Sequence, residues 1–234
     1  KRNLATLLNG RPEQIAIMSN SSEAISMIAH SLPFQTGDNV VIHVLEFPSG
    51  VLPWLALKKQ GVEVRVVEHS NWEIGIDDIL RMVDDKTTLV MTSHVSYLTG
   101  YRIDYKRLYE ELKKTNTVLL LDVTQSLGVI PVDMQMADFV VCSTYKWLLS
   151  IHGGGILAVN PERLLDFYPK YVGWRSVSDM FSSNRFEAFT FHKDARRFEL
   201  GYPSYPMIYA LNYSTELLID IGIERIEKHV LNLG

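Results

Sequence analysis

The sequence predicts an α/β fold in three layers around a seven-stranded, mainly parallel sheet. Seven short apolar runs, beginning at Ile15, Val40, Val62, Thr88, Val118, Phe139 and Ile156, have the length and β-branched content of strands. The central runs are apolar without alternation, as in strands covered on both faces. Most runs are separated by a stretch with helical spacing, which a right-handed wind of parallel strands requires. With 47% hydrophobic residues among 234, the chain can bury a substantial core.

Taken in order, Ile15–Met18 is the first strand, and it runs into Asn20, Ser21, Ser22 and Glu23. Ile25, Ile28, Ala29 and Leu32 follow at helical spacing, so Asn20 caps a helix with Glu23 reaching back. The amides of Ser21 and Ser22 then favour an anion such as a phosphate, although a capped helix alone explains the same residues. Gly37 and Asp38 make a turn before the strand at 40–44, whose carboxyl end leads to Glu46, Phe47, Pro48, Ser49 and Gly50. Phe47 is a flat side chain at a strand end, suited to stacking on a planar ring or to plain core packing.

Residues 51–60 read as a helix with Pro53 near its start, Gly61 as its stop, and 62–67 as the third strand. A helix at 77–83 precedes the strand at 88–93, which ends in His94-Val95-Ser96-Tyr97. No second histidine or acid lies at ligand spacing from His94, so it reads as a hydrogen-bonded structural residue, and no metal site is expected. Residues 104–114 form an amphipathic helix with Leu108 and Leu112 on its apolar face. The strands at 118–121 and 139–142 follow. His152, Gly153, Gly154 and Gly155 make a tight loop before the strand at 156–159, whose short connection suits an antiparallel return. Beyond Pro161 the period loosens until helices at 207–220 and Ile223–Leu231, parted at Gly222.

The chemistry centres on residues 118–149. One apolar run stops on Asp122, with Gln125 just after it, and the next runs on to Lys146. Open parallel sheets bind ligands beyond the carboxyl ends of their strands, so this acid and this amine can meet over one molecule. Pyridoxal phosphate needs both, a lysine for its aldehyde and a carboxylate beside its protonated ring nitrogen. The segments D-V-T-Q-S-L-G and S-T-Y-K-W-L-L resemble the class V aminotransferase group of fold-type I pyridoxal phosphate enzymes, which includes cysteine desulfurases, kynureninases and isopenicillin N epimerases. The likeness runs over most of the chain.

The resemblance implies that Lys146 is the Schiff-base lysine, that Asp122 partners the pyridine nitrogen and that Gln125 contacts the ring hydroxyl. It implies phosphate contacts from Ser143 and Tyr145 and from the turn holding Ser21 and Ser22. It adds Phe47, Thr124 and Tyr97 to the cofactor-binding set, Tyr97 following the family's H-V-S motif. The segment Arg197-Phe198-Glu199 with Gly201 and Pro203 is similar to one that serves the neighbouring subunit, which implies a homodimer with shared active sites. Residues 1–234 would form the large, cofactor-binding domain, with an amino-terminal segment and a small carboxyl-terminal domain outside this sequence.

The implied substrate is an amino acid or related amine. Amino transfer is the first reading; a lyase (a C–S lyase, selenocysteine lyase or kynureninase-like enzyme) or an epimerase shares the same residues. A cofactor-free binding module on the same fold is weaker, because Asp122, Gln125 and Lys146 are all present. A nicotinamide dehydrogenase is weaker still, lacking a glycine fingerprint that opens a helix. Phe47 stands where desulfurases carry histidine, and Cys142 lies within an apolar run, so desulfurase activity is not expected. Arg175 and Arg197 are the candidates for gripping a substrate carboxylate.

A net charge of −4 without a basic run gives no footprint for nucleic acid. No apolar stretch approaches the roughly 20 residues of a membrane span, and the first residues lack the layout of a signal peptide. A soluble, cytoplasmic protein is the expectation. Cys142 is the single cysteine, which excludes a disulfide within the chain and a zinc cluster of cysteines.

Overall fold

A computed structural model describes residues 1–164 and 166–233. Its sheet contains β1 (Ile15–Met18), β2 (Asn39–His43), β3 (Glu63–Val67), β4 (Thr87–Ser93), β5 (Val118–Asp122), β6 (Phe139–Ser143) and β7 (Gly155–Val159). The strand order is β1-β7-β6-β5-β4-β2-β3. Only β7 runs antiparallel to its neighbours β1 and β6, as its short connection requires. The carboxyl ends of the other six strands, and the amino end of β7, therefore share one edge of the sheet.

The helices are α1 (Arg2–Leu7), α2 (Ser21–Ser31), α3 (Leu52–Leu57), α4 (Ile76–Arg81), α5 (Tyr105–Leu112), α6 (Pro161–Leu164), α7 (Tyr205–Ile221) and α8 (Ile223–Leu231). Successive side chains of a strand point to opposite faces, and β5 shows the consequence. Leu119 and Leu121 pack into one cluster with α1, α5 and α7, while Leu120 packs into the other with α2 and α3. All three leucines are fully buried, each contributing roughly 1.5–3 kcal/mol of apolar burial. Three layers result, with β5 central.

Two local expectations are corrected, and one helix was not foreseen. The single helix at 51–60 is α3 flanked by 3₁₀ turns at Pro48–Gly50 and Lys58–Gln60, since Pro53 is accommodated only in the first turn of a helix. Glu23 accepts from the amide of Ser19 at 3.0 Å rather than from Asn20, whose own Oδ1 caps Glu23 N at 2.8 Å. The helix α1 escaped sequence reading because it is six residues long and holds its place by burying Leu4, Ala5 and Leu7 rather than by a cap.

At the edge of the sheet, β1 pairs with β7 and with no other strand among the described residues. A 3₁₀ turn at Ala195–Phe198 lies beside it, and the buried Glu199 Oε1 accepts from the amide of Ile17 at 3.0 Å. Lys1 and Arg175 pair with the same carboxylate at 2.5 and 3.2 Å. No helix is long and apolar enough to cross a membrane among the described residues.

Candidate active site

The loops at the shared edge enclose one cavity, and all ten residues expected from sequence line it: Ser21, Ser22, Phe47, Tyr97, Asp122, Thr124, Gln125, Ser143, Tyr145 and Lys146. Asn20, Ser49, Ser93 and Val95 complete the lining. Sequence reading passed over Ser93, although it is the last residue of β4 and stands in register with Asp122 on β5. The strand-end rule that singled out Asp122 applies equally there.

Asp122 is buried, and its Oδ1 accepts the Thr124 amide at 2.8 Å. Burial pushes its carboxyl up to about 6, against the hydrogen bonds from Thr124, and the charge of Glu46 adds to the push. A carboxylate so placed is short of positive partners: among the described residues no lysine or arginine pairs with it. Burial of a charge without such a partner is costly, which is why the carboxyl holds its proton to higher pH than usual.

The segments after β5 and β6 are tied together. Thr124 Oγ1 accepts from the amide of Ser143 at 3.0 Å, and Trp147 Nε1 donates to Gln125 Oε1 at 3.3 Å. Gly128 has φ of 102°, and a Cβ there would come 2.4 Å from the carbonyl oxygen of Trp147. Glycine is therefore demanded twice at this position, by conformation and by contact. The result sets the backbone bearing Lys146 against the backbone that follows Asp122. Lys146 Nζ lies 5.7 Å from the ring centroid of Tyr145, which stacks on His152 at 4.2 Å.

The amino end of α2 closes another side. The hydroxyls of Ser21 and Ser143 are 2.7 Å apart, so a strand end and a helix end offer donors to the same point. A Cβ on Gly155 would approach the backbone of Asn20 to 2.5 Å, so the helix end can sit against β7 only because that residue has no side chain. Phe47 and Tyr97, from the loops after β2 and β4, meet edge to face at 5.2 Å.

Neither arginine proposed for a substrate carboxylate reaches this cavity. Arg175 pairs with Glu199, while the buried Arg197 donates to the carbonyls of Lys193 and Leu164 at 3.1 Å and lies over Tyr168. His94 is buried, accepts from Arg102 Nε at 3.3 Å and packs on Tyr105. Burial first, then Arg102, pull it down to about 3, in keeping with a structural role. Cys142 is buried and its thiol is pushed up by burial. No group of acids, histidines or cysteines suited to a metal occurs among the described residues.

The chain spans about three fifths of the length of the curated relatives it matches. A probable cysteine desulfurase of Methanothermobacter thermautotrophicus is 31% identical over 100% of this chain and 58% of its own. An uncharacterized aminotransferase of Bacillus subtilis, YcbU, is 29% identical over 98% of this chain and 60% of its own. The apo structure of a cysteine desulfurase from Thermococcus onnurineus superposes with a TM-score of 0.87 at 26% identity, covering 97% of this chain and 57% of that one. The family model Aminotransferase class-V matches residues 1–234, and with it the chain belongs to the class V aminotransferases, pyridoxal phosphate-dependent enzymes of fold type I.

Proposed function

We propose that these residues are the cofactor-bearing part of an enzyme acting on an α-amino acid, in which cleavage of a bond to the side-chain substituent, as in a C–S lyase, ranks ahead of amino transfer. One observation carries the reading: Asp122, Gln125, Lys146 and the amino end of α2 line a single cavity. The donor set fits pyridoxal phosphate. Hydroxyls of Ser21, Ser22, Ser143 and Tyr145, with the first amides of α2, suit a phosphate. Gln125 suits the ring oxygen, Phe47 a ring face, and Asp122 the ring nitrogen.

When bound, this cofactor supplies an aldehyde that condenses with amines and a protonated ring that draws electrons from the substrate's α-carbon. Asp122 keeps the proton on the ring nitrogen, since a nearby carboxylate favours the charged form of a base. Lys146 Nζ would hold the cofactor through its aldehyde and would take and return the α-proton of the substrate. Phe47 and Tyr97, half-exposed and edge to face, add an aromatic wall to the cavity. No arginine lines the cavity among the described residues, so the group that grips the substrate carboxylate belongs, in this proposal, to another part of the protein or to a second copy. A homodimer is part of the same proposal: Tyr205, Tyr209 and Tyr213 form an exposed stripe at helical spacing along α7.

Relatives bearing the name cysteine desulfurase support the lyase reading, and the relative named an aminotransferase supports the second. Within the lyase reading, Phe47 and the wholly buried Cys142 still stand against a desulfurase that passes sulfur to a cysteine of these residues. The test uses full-length protein with cysteine and no 2-oxo acid. With a thiol reductant present, a lyase forms many equivalents of sulfide, either with pyruvate and ammonia or, where the thiol supplies the two electrons, with alanine. Product that stops at one equivalent and resumes only on addition of a 2-oxo acid transfers the assignment to amino transfer.

A further inference from the structure

Glu46 follows β2 and is buried, one side chain removed from the cavity behind Ser93. Its Oε1 accepts the Ser93 amide at 2.6 Å, its Oε2 accepts the Ser93 hydroxyl at 2.7 Å, and His43 Nε2 lies 2.7 Å from Oε1. His43 Nε2 also lies 3.1 Å from Thr92 Oγ1, and among the described residues Nδ1 has no hydrogen-bond partner, so a neutral ring carries its proton on Nε2, shared between Glu46 and Thr92. No lysine or arginine pairs with Glu46 among the described residues. Cβ space is also closed around it, since a side chain on Gly50 would come 3.2 Å from Glu46 Oε2.

From this geometry we infer that Glu46 is a positioning residue that supplies a second negative charge for the ring nitrogen of pyridoxal phosphate, acting behind Asp122 and through Ser93. Three donors hold the carboxylate in one place. The Ser93 hydroxyl spends its proton on Glu46, so the oxygen it presents to the cavity is an acceptor, beside Asp122 with which Ser93 is in register. A cationic ring nitrogen held at Asp122 would have a second carboxylate behind it, reached through the Ser93 hydroxyl oxygen. Such an environment favours the protonated ring over the neutral one. The inference rests on the cofactor reading given above.

The experiment compares the affinity of full-length apoprotein for pyridoxal phosphate with its affinity for 1-deazapyridoxal phosphate, in which C–H replaces the ring nitrogen, by fluorescence or absorbance titration. The ratio cancels contributions from phosphate and aldehyde and needs no turnover. Glu46→Gln should lower the preference for the nitrogen-bearing ring about tenfold, the change that one pKa unit represents. Glu46→Asp, which keeps the charge, should restore most of it, and Ser93→Ala should have the smaller effect. A folded Glu46→Gln protein with the parent's ratio overturns the proposal, leaving Glu46 as a cap for the end of β4. If Glu46→Gln does not fold, Asp122→Asn decides. A residual preference above unity supports a second charge, and a ratio of one overturns it. A parent protein that binds neither compound instead overturns the cofactor reading itself, and is distinguished by the absence of any titration.

Discussion

Replacing Gly128 by alanine tests whether the Asp122 and Lys146 segments are held together by backbone contact. Two costs add at this position. An L-residue at φ of 102° pays about 1 kcal/mol or more for conformation alone. The new Cβ would also lie 2.4 Å from the Trp147 carbonyl oxygen and 2.9 Å from its carbon, and forcing backbone apart costs typically 1–3 kcal/mol. Gly37 supplies the control, because its φ is 92° and a Cβ there meets nothing within 4 Å among the described residues. In urea unfolding of the full-length protein, Gly37→Ala should cost about 1 kcal/mol and Gly128→Ala about 2–4 kcal/mol, with the excess accompanied by weaker cofactor binding. If the two variants unfold alike, the chain at 146–148 yields freely, and the contact does not fix the spacing of Asp122 and Lys146.

Borohydride reduction of the cofactor-loaded protein, followed by peptide mapping, should place the added mass on the Lys146 peptide; label on another lysine refutes the assignment. Asp122 titrates near 6 when folded, above its usual 3.8, so its ionisation costs the cofactor-free fold stability that is lost as pH rises from about 4 through 6. Asp122→Asn should therefore stabilise cofactor-free protein by up to about 3 kcal/mol at pH 8, at about 1.4 kcal/mol per unit. The gain should vanish below pH 4, and a pH-independent difference would falsify the burial argument. Cys142 should react with a thiol reagent only as fast as the protein unfolds, because the group is buried and its thiolate disfavoured; rapid reaction in native buffer would show an open path to it.

Much of this arrangement is legible in the sequence, for a physical reason. A strand buried on both faces must stay apolar until it leaves the sheet, so the first polar residue marks its end, as Asp122 does after Leu119, Leu120 and Leu121. The sheet then collects those ends along one edge without further instruction. What lies behind an end is harder to see. Glu46 joins the site only because β2 and β4 are neighbours, although they are separated by β3 in sequence. The helix α1 depends on packing against α7, some two hundred residues away. The arginines misled for the opposite reason: Arg197 is a long polar side chain whose burial is compensated by carbonyls and aromatic rings, which sequence cannot distinguish from a ligand-gripping group.

The carboxylate of Glu199 has a consequence for solubility. A sheet ends in a row of unpaired amides and carbonyls, a template on which another chain can add a strand. In β1 the amide of Ile17 is already taken by a buried side chain, and the turn at Ala195–Phe198 occupies the space an incoming strand would need. The two ion pairs of Glu199 pin this cover to the border from both sides. Removing the carboxylate with Glu199→Ala would therefore expose the border before it disturbed the cavity, and the first symptom in dilute salt would be concentration-dependent light scattering rather than a spectral change.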